Sequence, residues 1–474
     1  MTGIPAGIIA PMRKLSAVLL AALAVLALAA AGSWWYAGRL HGPSIQIPSP
    51  ERFIGVTTPL EVVVDAPGGE LRSLEVLFEQ EGARTPLFSL DDPSAGSAAE
   101  MSREEPNRIR VTRDLGRESV DGIRSGPARI VVSASRPVLF GLRAIAAETT
   151  RDVQVRLERP RLSVVSTHHY VNQGGAELVV YRVTPEDVES GVVVGDVEYP
   201  GFPATGATAE GVGITDPAVR VAFFALRHDQ ATDTPIHLFA RDQAGNSARA
   251  DFDHRIFPKR PKQSRIELDD PFIERVVPAI LDGTTEVKPQ GSTIDRFLAI
   301  NGELRRKNNA AVAALAEKTA PELLWRGEVF HPFTNTAVQS AFADHRTYYY
   351  RGREVDRQVH LGFDLASYAG TPIVAAARGT VLFADELGIY GNCVVLDHGM
   401  GVQSLSAHLS SIEVAPGDMV DKARPIGRSG MTGLAGGDHL HFTMLVNGQM
   451  VNPIEWWDPK WIEDRILRKL RAAS

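Results

Sequence analysis

The stretch "GGDHLHF" (436–442) puts His439 and His441 one residue apart in a segment that reads as strand. Successive side chains in a strand alternate between faces, so the two imidazoles point the same way and can converge on one object. An isolated H-x-H is more often a pair of solvated histidines on a sheet face, so the rest of the chain must decide. Upstream, "RQVHLGFDLAS" (357–367) holds His360 and Asp364. Their i, i+4 spacing keeps two side chains on one face in a helix and equally in a strand. Gly362 and the preceding "TYYYRG" favour strand and loop. "SLSAHLS" (404–410) places His408 near the end of another strand-like run. Zinc accepts imidazole nitrogen and carboxylate oxygen at about 2.0–2.2 Å, and a catalytic site uses three protein ligands with one position left open. His360, Asp364 and one histidine of the pair make such a set. One metal does not need all four histidines, so the others are candidates for acid–base work.

The run "HLGFDLA…GTPIVAAARGTVLFA…YGNCVVLDHGMGVQSLSAHLS…VAPGDMVDKARPIGRSGMTGLAGGDHLHF" (360–442) resembles the lysostaphin-like (LytM-type) zinc metallopeptidase domain. The H-x-x-x-D, the later histidine and the H-x-H occur in order among the framing glycines, over roughly the last third of the chain. The resemblance implies a small, mostly antiparallel β domain with a groove, and endopeptidase action on the peptide bridges of bacterial peptidoglycan. It assigns His360, Asp364 and His441 as ligands of one Zn²⁺, and His408 and His439 as the catalytic histidines. One imidazole takes a proton from water and returns one to the leaving amine while the other donates to the oxyanion; the sequence does not say which does which. Two positions depart from the family: Leu405-Ser406-Ala407-His408 lacks the usual tyrosine, and Thr443 stands where glutamate is frequent. The family also contains non-enzymatic regulators that activate a partner hydrolase. They typically lack metal ligands, whereas this chain keeps its set.

A chain of 474 residues with 44% hydrophobic and 23% charged residues is a folded protein of about three globular units. A formal net charge of -7 gives no basic footprint for nucleic acid. One cysteine, Cys393, excludes an intramolecular disulfide framework, and its apolar surroundings make it a small core residue. After Arg13 and Lys14 the chain runs without charge from Leu15 to Gly38, long enough to cross a bilayer. The flanking positive charges favour an N-inside orientation, and Trp34, Trp35 and Tyr36 suit the far interface. A cleaved signal peptide competes with this reading through "ALAAAG". The aromatic cluster beyond that site favours an uncleaved single-pass anchor in the inner membrane, with the bulk of the chain periplasmic or extracellular.

The sequence therefore reads as a mainly β protein in six parts. Residues 1–40 are a cytoplasmic stub and transmembrane anchor. Short alternating runs between turn residues make 44–160 a β-sandwich, and the same signals make 161–257 a second one. The turn "DQAGN" (242–246) of the latter resembles a hairpin of bacterial immunoglobulin-like domains. Residues 258–322 form a helical linker, with Asp270 as N-cap, Pro271 at the first helical position and Pro278 expected to kink or shorten the helix. A second linker helix opens at Ser292 or Thr293 and ends before Pro321. Residues 323–457 are the peptidase domain, and 458–474 a basic C-terminal helix. The sandwiches are candidate surfaces for a protein partner.

Other candidates carry less chemistry. His398 reads as structural, His331 and His345 as loop histidines, and His168–His169 as neighbours on opposite strand faces. Arg346 reads as structural. The glycines at 427, 430, 433, 436 and 437 read as a wall of the groove, where small residues let an extended backbone approach.

Overall fold

The computed structural model describes residues 9–67, 69–92, 98–105 and 107–474, with the side chains of the first eight of these left aside. The protein is mainly β, with an N-terminal apolar helix. It divides into two compact units, residues 1–159 with 242–246, and residues 160–241 with 247–474.

In the first unit the helix Ile9–Ala37 precedes two sheets. One has Ser44–Ser49, Thr57–Asp65, Arg108–Gly116 and Glu100–Glu105 side by side. The other is built on the 13-residue strands Gly126–Val138 and Arg143–Val155. Alternating side chains such as Leu60, Val62 and Val64 on one sheet, and Val76, Ile130 and Val132 on the other, are buried and meet in one core. The segment Ala17–Ala37 has a mean hydropathy of 2.2 and is long and apolar enough to cross a membrane.

In the second unit, four-stranded sheets around Ala176–Thr184 and around Glu189–Val194 face one another. The C-terminal part holds an eight-stranded antiparallel sheet. Its path runs Ala337–Ser340, Phe363–Ala366, Leu440–Val446, Val402–Leu409, Asn392–Gly399, Gly379–Glu386 and Met419–Val420, and Gln449–Val451 pairs with Leu440–Val446. Leu440–Val446 and Val402–Leu409 are buried along their whole length, as central strands covered on both faces must be.

The region read as a helical linker is built differently. It opens with the strand Gln263–Leu268, which pairs in parallel with Asp344–Tyr350 and so belongs to a sheet of the C-terminal part. The helix Asp270–Asp282 is capped by Asp269, whose side chain accepts from Phe272 N, one residue earlier than the sequence reading placed the cap. It runs through Pro278 to Gly283, held by Ile273, Val276, Val277 and Ile280 buried on one face. Tertiary burial outweighs the local cost of the proline there. Ser292 and Asp295 form a capping box for the next helix.

The C-terminal segment is also docked. Ile462, Ile466 and Leu470 are buried, and Lys469 Nζ reaches Glu177 Oε1 at 2.7 Å, with side chains 4% and 0% exposed. Glu455 accepts from Asn172 Nδ2 and Ala176 N at 2.7 and 2.8 Å. These contacts tie the strand Ala176–Thr184 to the C-terminal part within one unit, where the sequence suggested separate domains on a linker.

Candidate metal and catalytic site

Sheet register brings the sequence candidates together. Asp364, on Phe363–Ala366, lies directly opposite His441 on Leu440–Val446, and His441 lies opposite Ala407 on Val402–Leu409. Side chains opposite one another share a face. His360 ends the strand Arg353–His360, and Asp364 sits on a different strand after a break at Leu361 and Gly362. Their i, i+4 spacing thus works across a turn between two sheets.

His408 should point away from this face, because its neighbour Ala407 is the residue opposite His441. Its φ of +62° breaks the alternation and lets its ring join the others. A non-glycine residue in the left-handed region is strained, and such strain concentrates at functional sites. His439 precedes its strand and is held by its N–H to Gly430 O at 3.0 Å.

The distances are short. His360 Nε2 and His441 Nδ1 lie 2.9 and 3.0 Å from Asp364 Oδ1, and 3.0 Å from each other. The potential ligand atoms of His360, Asp364 and His441 all lie within 4.8 Å of one another. The rings of His408 and His439 lie tilted by 52° with centroids 4.9 Å apart. His439 Nε2 is 3.5 Å from Asp364 Oδ1.

Each imidazole is fixed by its other nitrogen. His360 Nδ1, His408 Nδ1 and His439 Nδ1 donate to the carbonyls of Ala341, Thr432 and Gly437 at 3.1, 2.8 and 2.8 Å. His441 Nε2 is 3.4 Å from Thr443 Oγ1, whose own hydroxyl donates to Leu361 O. Thr443, the departure from the family pattern, therefore orients His441. Those partners set the tautomers, so that bare lone pairs of His360 Nε2 and His441 Nδ1 face each other beside a carboxylate. Three acceptors crowded without a proton between them are an arrangement that a cation stabilises. The donor set suits zinc.

Burial works to raise the Asp364 carboxyl, but the imidazoles of His360, His439 and His441 crowded against it outweigh burial and hold it well below the usual carboxylate range. Burial pushes His408 well below its ordinary value and His441 down to about 4. At His439 burial also lowers the value, but the hydrogen bond and charge of Asp364 outweigh it and the net shift is upward.

These side chains line a cavity of about 490 Å³. Its other wall comes from the region read as linker, through Ile266, Leu268, Phe272, Phe297 and Arg305. Tyr390, also lining it, stands 5.9 Å from the His441 ring. Of the five glycines read as a groove wall, Gly436 and Gly437 line the cavity with open space at the Cβ position. Gly427, Gly430 and Gly433 instead sit against the backbone of Ser411, Ser410 and Gly391, where a Cβ would collide.

Sequence reasoning missed three contributors. Arg346, read as structural, donates from Nη2 to Asp364 Oδ2 at 2.9 Å and so holds the carboxylate's second oxygen. Gly362 is required because a Cβ there would meet the His441 ring at 2.5 Å. The hydroxyl of Thr443 is the third. Arg346 and Gly362 have no local signal, since their partners Asp364 and His441 lie 18 or more residues away, whereas Thr443 acts on the ring two residues before it. His331 and His345 do not line the cavity. His398 is fully buried between Arg378 O and Ser404 Oγ, both at 2.8 Å, and is structural.

Residues 358–453 match Peptidase family M23. Over 97 residues, 20% of this chain and 22% of the relative, the chain is 43% identical to the DD-carboxypeptidase/endopeptidase Mpg of Neisseria meningitidis serogroup B. It is 29% identical over 182 residues to the peptidoglycan DD-endopeptidase ShyA of Vibrio cholerae, covering 37% of this chain and 39% of that protein. It is 38% identical over 95 residues to the murein hydrolase activator EnvC of Escherichia coli, covering 20% and 23%. The chain thus spans about two fifths or less of the length of each of these relatives. The C-terminal part of this chain is a lysostaphin-like domain of Peptidase family M23.

Proposed function

We propose that the C-terminal domain is a zinc-dependent endopeptidase that cleaves peptide cross-links of bacterial peptidoglycan. The observation that carries this reading is the convergence of His360, Asp364, His408, His439 and His441 on one cavity, with every imidazole tautomer fixed from behind. His360 Nε2, Asp364 Oδ1 and His441 Nδ1 would hold one zinc ion. When bound, zinc supplies Lewis acidity that polarises a carbonyl and makes a water more acidic.

His408 and His439 present their Nε2 atoms to the cavity, because their Nδ1 protons are committed to Thr432 O and Gly437 O. One takes a proton from the attacking water and passes it to the leaving amine. The other, in its doubly protonated form, donates from Nε2 to the oxygen of the tetrahedral intermediate. Arg346 orients the Asp364 carboxylate through its hydrogen bond to Oδ2. The Ile266, Leu268 and Phe272 wall shields the site from bulk water, which strengthens these interactions.

The helix Ile9–Ala37 is proposed as a single-pass anchor that holds the remainder outside the cytoplasm, with the N-terminal sheets spacing the peptidase from the membrane or binding a protein partner. A second reading, a regulator that activates a separate hydrolase, is favoured by the similarity to EnvC. The complete donor set and both further histidines favour the enzyme, since protein contact alone needs neither.

The test is digestion of purified sacculi by the zinc-loaded protein, with muropeptide mass spectrometry and a His441→Ala control. Cross-link-cleaved fragments from the intact protein alone support the enzyme. No fragments from zinc-bound protein would overturn it in favour of the regulator.

A further inference from the structure

The hairpin joining Gly126–Val138 to Arg143–Val155 ends in "LFGL" (139–142). Tight hairpin turns favour Asn, Asp or Gly, because their residues adopt positive φ. Here Leu139, Phe140 and Gly141 have φ of +53°, +55° and +87°, so two bulky apolar residues occupy left-handed positions. Nothing in the described residues covers the tip: Phe140 is 104% exposed and Leu142 73%. The hairpin tip Glu81–Gly82 in the same unit follows the usual polar chemistry. Turn geometry therefore does not explain the apolar tip.

Its position does. The hairpin runs alongside the chain that leaves the apolar helix, and its contacts advance in order. Arg151 Nη2 donates to Ile47 O at 3.0 Å, and Arg136 Nε to His41 O at 2.9 Å. Ile145 packs at Gly42, and Arg143 packs at Gly38 and donates from Nη1 to Trp34 O at 2.6 Å. Moving along the hairpin toward its tip thus means moving from residue 47 back into the last turns of the helix. The tip continues past Arg143 by two residues on each side, about 7 Å at strand rise. It reaches the level of the exposed aromatic residues Trp34, Trp35 and Tyr36. Arg39 lies over the Trp35 ring at 3.7 Å and Arg143 over the Trp34 ring at 5.3 Å, placing two cations at the same level. No acidic residue occurs from 136 to 147.

We propose that Phe140 and Leu142 insert into the interfacial layer of the bilayer beside the helix, giving the N-terminal unit a second membrane contact. Arg39 and Arg143 face the anionic headgroups. Two contacts rather than one restrict how this unit tilts on its anchor. The proposal rests on reading Ile9–Ala37 as a membrane anchor.

The test uses the full chain reconstituted in phosphatidylethanolamine–phosphatidylglycerol vesicles. An environment-sensitive fluorophore is attached at Phe140→Cys, at Ala83→Cys on the polar hairpin and at Leu26→Cys within the helix. Native Cys393 is fully buried, so the introduced thiol takes the label. Phe140 has no buried contacts to lose on substitution, and Leu142→Cys provides a second reporter should the first fold poorly. The expected result is quenching of the 140 and 142 labels by lipid-borne nitroxide with protection from aqueous iodide, and the opposite at 83. Iodide quenching at both 140 and 142, with lipid quenching at 26, would overturn the proposal and leave the anchor standing. Iodide quenching at 26 as well would overturn the anchor reading and this proposal with it.

Discussion

Gly362→Ala tests the site geometry most sharply, because it touches the candidate ligand cluster without altering any donor. The backbone at Gly362 is not in the left-handed region, so alanine meets no conformational penalty. Its Cβ would lie 2.5 Å from His441 Cε1 and 2.6 Å from Nε2, and against Thr443 Oγ1, where real contacts essentially never fall below 3.0 Å. The ring must therefore retreat by about 0.5 Å or more. It has no room to do so in place, since His441 Nδ1 is 3.0 Å from both Asp364 Oδ1 and His360 Nε2. Catalytic geometry tolerates about 0.5 Å, and a misplacement near 1 Å costs about 10²-fold. Zinc affinity should fall about 10–100-fold, equivalent to about 1.4–2.7 kcal/mol, and cleavage should fall with it. Overpacking costs about 1–3 kcal/mol of stability, partly offset by the lower entropy of the unfolded alanine chain. Gly436→Ala is the matched control, for it lines the same cavity with open space at its Cβ. Chelator competition and sacculus digestion on both variants decide the matter. Wild-type zinc affinity and cleavage in Gly362→Ala would refute the steric account of His441 placement.

His439→Ala should abolish cleavage while retaining zinc, whereas His441→Ala should lose both; metal analysis beside muropeptide profiling separates them. Arg346→Leu removes the donor to Asp364 Oδ2 and should weaken zinc binding about 10–100-fold, read by chelator competition, and an unchanged affinity would count against its orienting role. Lys469→Met leaves Glu177 buried without its partner and should cost about 3–5 kcal/mol in denaturant unfolding, whereas a double replacement of both by apolar residues should cost much less. His398 is neutral when folded because burial lowers it from 6.5 to about 4. Its contribution is present above pH 6.5 and is lost as pH falls toward 4, up to about 3 kcal/mol. His398→Gln should flatten the loss of stability between those pH values, and an unaltered pH slope would remove His398 as its source.

The candidate site was legible in the sequence because its chemistry is local in kind, if not in position. Histidine and aspartate at fixed spacings have few structural excuses in buried strands, and the strand period shows that His439 and His441 share a face. The glycine signal was less informative. All five glycines look alike in the sequence, but two line the cavity and three relieve backbone collisions, a distinction that depends on what lies opposite. The helical reading of 258–322 failed at Gln263–Leu268, because a parallel partner more than 70 residues away decides whether that run is strand or linker. Pro278 misled for a similar reason, since burial of one helix face overcame a local penalty.

Sequence alone determined the mainly β class, the apolar N-terminal helix, the burial of Cys393 and the five residues that converge on the site. The first three follow from composition and periodicity, and the five candidates from donor chemistry joined to the resemblance to the lysostaphin-like family. Tertiary structure decided the rest. It placed Asp364 opposite His441, turned His408 inward through a left-handed backbone and set Arg346 and Thr443 behind the candidate ligands. It also made the supposed linker a wall of the cavity and carried an apolar hairpin tip to the end of the helix. Each of these depends on register between strands distant in sequence, and register is fixed only when the whole sheet is assembled.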